Sequence, residues 1–173
     1  KTRTAMIFTG AFEWTREHRD EIQVLRGVLG GFLNSVLRKT LGATYGVKTK
    51  ANVSRFPVPI YEIAVEYTTD PDRAEEAAEA VMSAVDRLQG GAADSQMVDA
   101  VIENESRKRE TVIKENGFWI NELVDAFFFV SDPEEVLGYG DWLNGLTPDT
   151  LQEVAKRYLD RSKMITVTMN PED

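Results

Sequence analysis

The sequence contains no cysteine and only one histidine, His18. Without cysteine the chain forms no disulfide, no cysteine-ligated zinc site, no iron–sulfur cluster and no thiol nucleophile. A single imidazole is too few for a two-histidine metal site, although it does not by itself exclude a Ser-His-Asp arrangement. The sequence also lacks any run approaching the ~18 uninterrupted apolar residues that a membrane span requires, so no span is predicted.

Basic residues are fewer than acidic ones, with 20 Lys and Arg against 29 Asp and Glu. The formal net charge is −9, which argues against nucleic acid as a partner because neutralising phosphates requires a basic face. The distribution is uneven, since residues 1–55 carry ten Lys and Arg against four acids. We attribute the acidic excess of the remainder to solvated helix faces.

The composition is typical of a soluble globular chain. With 173 residues, 42% apolar and 28% charged, the chain is long enough to bury a full core without disulfides or metals. We therefore expect residues 1–173 to form a single domain. Because the chain opens at Lys1, with neither an initiating Met nor a signal-peptide pattern, we expect it to be part of a longer protein.

Hydrophobic periodicity predicts the order strand, long helix, two strands, several helices, strand. Residues 4–12 form a strand that is apolar on both faces and so expected to be covered on both sides. The long helix begins at the N-cap Thr15 and closes at Gly42. Strands at 44–53 and 61–67 follow, then helices that start at Asp70, Asp94, Asp132 and Thr147, with an aromatic-rich helix between Gly117 and Val130, and a strand over 164–169. This order predicts an α+β domain with helices packed on one face of a mostly antiparallel sheet.

Arg38 and Tyr45 are the candidate site residues. They flank the point where the long helix gives way to a strand. On spacing alone, Arg38 can simply complement the helix dipole and Tyr45 can simply pack. Alternatively, a guanidinium and a phenol beside a glycine turn can hold the carbonyl oxygens of an extended peptide. That second role is binding and orientation, without bond-breaking.

His18 begins a partial metal motif. His18-Arg19-Asp20-Glu21 matches four positions of His-x-x-Glu-His, the inverted zinc-peptidase motif. The fifth position is Ile22, so the coordination shell lacks one imidazole. We therefore interpret His18 as an exposed residue at the start of the helix.

Three weaker patterns each leave two interpretations open. Gly30-Gly31 inside the helix marks either a hinge or, as we favour, close packing against a sheet. Phe127-Phe128-Phe129 with Phe118 and Trp119 lines a substrate chamber or, as we favour, fills a core. Glu62 and Glu66 share one strand face, as a glycosidase pair does, but solvent-facing alternation explains them better.

At the helix-to-strand junction the sequence resembles a known family. Residues 29–38 (LGGFLNSVLR) and 41–47 (LGATYGV) resemble the C-terminal half of pitrilysin/insulinase zinc peptidases, in which a long helix ends in an LR…LG…Y signature. Later segments follow the order of that family. They are 59–61 (PIY), 70–71 (DP), 116–119 (NGFW), 146–148 (LTP) and 154–159 (VAKRYL), then the closing strand up to Pro171.

The resemblance implies a clamshell metalloendopeptidase of about four homologous α+β domains, of which this chain is the last. It implies that an N-terminal domain supplies zinc, that Arg38 and Tyr45 bind the peptide substrate and help to stabilise the tetrahedral intermediate, and that this segment alone is inactive. It also implies partnership with the N-terminal catalytic half or a homologous subunit, and favours a bacterial periplasmic member. The competing interpretation is a non-catalytic partner or scaffold subunit of the same fold whose parent has no zinc.

Overall fold

Four strands and six α-helices make up the part of the chain that the computed structural model describes, which is residues 1–41, 46–129 and 131–171. They are β1 (Thr2–Ala11), α1 (Arg16–Leu41), β2 (Val47–Ser54), β3 (Ile60–Thr69), α2 (Ala74–Gln89), α3 (Ser95–Val112), α4 (Asn116–Phe129), α5 (Tyr139–Asn144), α6 (Pro148–Tyr158) and β4 (Met164–Met169). Short 3-10 turns precede α2, α5 and β4. The predicted α+β class is confirmed.

The four strands form one antiparallel sheet in the order β2-β3-β1-β4. One face of the central strand β1 is buried, with Met6 and Phe8 inside the core, whereas Ala5 and Ile7 on the other face are half-buried. The expectation that β1 is covered on both sides is therefore wrong for the described chain. We call the side that carries Ala5 and Ile7 the open face of the sheet.

Helix α1 supplies much of the core on the covered side. The side-chain oxygen of Thr15 accepts a hydrogen bond from the His18 backbone N–H at 3.1 Å, which confirms the predicted N-cap. The helix contacts β2, β3 and α2. Five of its fully buried residues recur every three to four positions, at Ile22, Leu25, Leu29, Leu33 and Leu37, and Val24 is fully buried as well.

The chain divides into two compact units, residues 1–93 with 149–173, and residues 94–148. The first contains the sheet with α1, α2 and α6, and the second contains α3, α4 and α5. In the second unit the Arg109 guanidinium lies over the rings of Phe118 and Tyr139, at 4.5 and 5.0 Å, and donates to the Val136 carbonyl at 2.6 Å. Arg109 of α3 thus contacts α4, α5 and the 3-10 turn between them.

The predicted helix starts at Asp94 and Asp132 are confirmed by their caps, since each carboxylate accepts a backbone N–H, at 2.8 and 2.9 Å. The helix that Asp132 begins is a 3-10 helix, Pro133–Gly138, and α5 follows it. Asp70 differs. Its carboxylate makes no capping bond and lies 2.6 Å from the Lys1 ammonium instead. Across the described ranges, no helix combines the length and hydropathy needed to cross a bilayer.

Candidate functional site

Arg38 lies in the last turn of α1 and is exposed, directly after the fully buried Leu37. Its guanidinium makes no hydrogen bond or ion pair to another described residue. The burial of Leu37 anchors this turn, while Arg38 projects from it. Tyr45, the other predicted site residue, lies outside the described residues.

Gly30 sets how closely α1 approaches the sheet. A Cβ placed on Gly30 would lie 2.5 Å from the Thr49 hydroxyl oxygen on β2. That hydroxyl donates to the Arg26 carbonyl of α1 at 3.1 Å, which bonds helix to strand at the close approach. The prediction of close packing is confirmed for Gly30, whereas Gly31 has open space around it.

The partial zinc motif on α1 is engaged in structural contacts. His18 is at the helix start as predicted, but it is half-buried rather than exposed, because its ring packs edge-on against Phe12. Its Nδ1 lies 3.1 Å from the Glu13 carbonyl oxygen. Ile22 is completely buried. Within the described ranges no three His, Asp or Glu side chains gather to hold a metal ion, so these residues do not fit a zinc site and no zinc-dependent step is assigned to them.

Glu21 occupies the position of the general base in that motif, but it is buried in a hydrogen-bonded cluster with α6. Its Oε2 accepts from the Arg157 guanidinium at 2.8 Å and from the Tyr158 hydroxyl at 3.1 Å. Burial, with the nearby Glu21 carboxylate, raises the pKa of Tyr158 above the usual range of a phenol. The carboxylate that the motif would use for catalysis therefore holds α1 to α6.

The sequence interpretation missed this cluster because Arg157 and Tyr158 are more than 130 residues away from Glu21 along the chain. One signal was available. Glu21 directly precedes Ile22, which lies on the apolar face of α1. A carboxylate that is buried beside such a face requires a hydrogen-bond donor or a cation as a partner.

On the open face of the sheet, β2 carries lysines and β3 carries glutamates. Lys50 donates to Glu66 at 2.6 Å as a diagonal pair, since the register places Lys50 opposite Ala64. Glu62 is exposed and Glu66 is half-buried on this same face, so the solvent-facing interpretation of the two glutamates is confirmed.

The aromatic segment of α4 differs from its prediction. Phe127 and Phe128 are 78% and 67% exposed, and Ala126 is the buried residue recorded in α4. The prediction that these two phenylalanines fill a core is therefore wrong for the described chain. The apolar residues are too many for one helix face, because Ile120, Leu123 and Val124 are exposed as well.

No protein-family model and no curated sequence matches this chain. Among solved structures it is similar to the periplasmic protease PqqL from Escherichia coli, with a TM-score of 0.79 and 17% identity, over 99% of this chain and 19% of that one. It is also similar to the inactive domain of an M16 peptidase from Pseudomonas fluorescens, with a TM-score of 0.78 and 15% identity, over 100% and 42% of the two chains.

A third similar structure is the inactive peptidase domain of a proposed zinc protease from Bordetella parapertussis, with a TM-score of 0.78 and 13% identity, over 99% and 93% of the chains. The fold is that of M16 peptidase domains. The expected resemblance to pitrilysin/insulinase peptidases is confirmed at the level of the fold. The chain spans about a fifth of the length of PqqL and nearly all of the Bordetella parapertussis chain.

Proposed function

We propose that this chain is the C-terminal, substrate-holding domain of a zinc metalloendopeptidase whose zinc is bound by an N-terminal domain. The observation that carries the proposal is an M16 fold over the whole chain that lacks the second imidazole of the inverted motif. Its would-be base, Glu21, is tied to Arg157 and Tyr158. Similar M16 domains bear the name inactive, and one similar protein is a periplasmic protease, which supports a periplasmic parent.

Within this proposal Arg38 and Tyr45 bind and orient the peptide. The Arg38 guanidinium has donors that no described residue uses, and it donates to carbonyl oxygens of an extended substrate. The Tyr45 hydroxyl donates to the oxygen on which negative charge develops during peptide hydrolysis. Zinc bound elsewhere in the parent supplies the activated water. The chemistry assigned to this chain is therefore positioning and charge stabilisation.

The test uses the full-length parent. We expect Arg38→Ala and Tyr45→Phe each to lower kcat/KM for peptide cleavage by about ten- to a thousandfold, the range for losing one transition-state donor. Zinc content and folding remain unchanged. Lys39→Ala is the matched control, because Lys39 is an exposed cation in the same helical turn, and it should retain nearly full activity. Unaltered cleavage in both site variants would refute the assigned roles.

Zinc stoichiometry of the parent separates this function from its alternative. About one zinc per parent chain, with none in the 173-residue chain, is the expected result. Absence of zinc from both would instead favour a non-catalytic partner or scaffold subunit of the same fold.

A further inference from the structure

A pocket opens where β1 and β2 begin and β3 ends. Its volume is about 370 Å³, within the range of small-ligand sites. Arg3, Lys48, Glu66 and Thr68 line it, and the strand register places all four on the open face. Gly46 also lines it and adds no side chain, and a Cβ there would meet no atom of the described residues within 4 Å.

The strand register determines which charges meet in this pocket. Arg3 is directly opposite Thr68, and Lys48 is directly opposite Glu66. Glu66 is already neutralised by Lys50 at 2.6 Å. Arg3 and Lys48 remain as an excess of positive charge in a chain whose net charge is −9.

Neither excess cation has a partner in the described parts of the chain. Several other exposed cations of the same unit are paired with acids, as in Lys1–Asp70 and Arg161–Asp86. Arg3 and Lys48 form no such pair. Because both unpaired cations line the same pocket, an anion bound there would interact favourably with each of them.

We propose that this pocket binds a carboxylate of an acidic peptide segment, held by the Arg3 guanidinium, the Lys48 ammonium and the Thr68 hydroxyl. A carboxylate suits the planar two-donor fork of arginine, with lysine adding a point charge. A monoanion is favoured over a dianion such as phosphate because the Glu66 carboxylate forms part of the wall. The site lies on the open face of the sheet, opposite α1, the helix that carries Arg38.

The experiment follows the backbone amide signals of the 173-residue chain by NMR during titration with small peptides. Acetyl-Gly-Glu-Glu-Gly-amide supplies side-chain carboxylates, and acetyl-tetraglycine with a free C-terminus supplies a terminal one. Acetyl-Gly-Gln-Gln-Gly-amide is the neutral control, and inorganic phosphate is the dianion. We expect saturable shifts at Arg3, Gly46, Lys48 and Thr68 with at least one carboxylate peptide and none with the neutral peptide.

Variants test the residues. Arg3→Gln and Lys48→Gln should each weaken carboxylate binding by about tenfold or more, the effect of losing a charged hydrogen bond. Lys114→Gln, which removes one exposed cation from the other unit, should leave it unchanged. Thermal unfolding checks that each variant is folded, as expected for substitutions on the open face.

The outcomes are distinct. Saturation by the glutamate peptide alone identifies an acidic side chain as the ligand, and saturation by the free C-terminus alone identifies a peptide terminus. The proposal is overturned if neither carboxylate peptide saturates, if phosphate alone binds, or if Lys114→Gln weakens binding as much as Lys48→Gln.

Discussion

Gly30 and Gly31 are adjacent in α1, yet their surroundings differ completely. The Cα of Gly30 faces the Thr49 hydroxyl on β2, and Gly31 faces open space. Glycine inside a helix costs about 1 kcal/mol relative to alanine, so alanine stabilises the helix wherever there is room for its methyl group. The sheet removes that room at Gly30 but not at Gly31.

Substituting each glycine by alanine should therefore change stability in opposite directions. We expect Gly30→Ala to lower the free energy of unfolding by about 1–3 kcal/mol, the usual cost of overpacking. Gly31→Ala should raise it by about 0.5–1 kcal/mol. Thr49→Ala, introduced into the Gly30→Ala variant, should recover part of the loss because it removes the clashing hydroxyl. Urea denaturation measures all three, and a change of the same sign at both glycines would contradict the packing argument.

Residue-level prediction succeeded where the determining contacts are local. The Thr15, Asp94 and Asp132 caps each depend on a backbone N–H two or three residues away. The Glu21 cluster depends on α6, far along the chain, and no local pattern predicts it. Arg3 and Lys48 meet only through the strand register, so the pocket could not be predicted from the sequence either.

At the scale of elements, period-2 and period-3.6 patterns predicted the strands, α1 and the single covered face of the sheet. The burial predicted for β1 and α4 was wrong, because apolar residues occur on more than one side of each element and only one side is covered. Periodicity shows which side of an element is apolar, but whether that side is covered depends on what packs on it. Phe127 and Phe128 are exposed for this reason.

Strand β4 forms one edge of the sheet and has no charged residue, no proline and no recorded bulge. Ile165, Val167 and Met169 are each about half exposed on the open face, and the intervening Thr166 and Thr168 are exposed as well. Natural edge strands usually carry lysine, proline or a bulge that blocks pairing with another chain. We therefore expect the purified 173-residue chain to self-associate through β4.

A lysine on that edge should suppress the association. We expect Val167→Lys to lower the apparent mass measured by light scattering at high protein concentration, because the charge blocks strand pairing. Val58→Lys is the matched control, since Val58 is similarly exposed, at 59% against 49%, but lies in the loop between β2 and β3. An equal effect of both variants would show that net charge, rather than the β4 edge, governs association.

At the scale of the whole molecule, three tyrosines of the unit that contains the sheet are buried, two on β3 and Tyr158 on α6. Tyr61 and Tyr67 lie on the covered side of β3, and the Tyr158 ring packs edge-on against Tyr61 at 5.0 Å. Burial raises the pKa of all three above the ordinary value of 10.0, and the nearby Asp160 adds to the effect at Tyr61. The folded chain therefore keeps its phenolic protons at a pH where the unfolded chain releases them.

Alkaline solution should thus destabilise the fold in a defined direction. A raised folded-state pKa contributes stability that is fully present below pH 10 and is lost as the pH rises toward the folded-state values. We expect the free energy of unfolding to fall above pH 10, by up to about 1.4 kcal/mol per pH unit for each of the three tyrosines. Urea denaturation between pH 8 and about pH 12 measures this slope.

Tyrosine-to-phenylalanine variants assign the slope to particular residues. Each of Tyr61→Phe and Tyr158→Phe removes one titrating phenol and should make the decline above pH 10 shallower. The two differ at neutral pH, because Tyr158→Phe also removes a donor to the buried Glu21 carboxylate and should cost about 1–2 kcal/mol there. If both variants kept the wild-type slope, burial of these phenols would not be what couples the stability of the fold to alkaline pH.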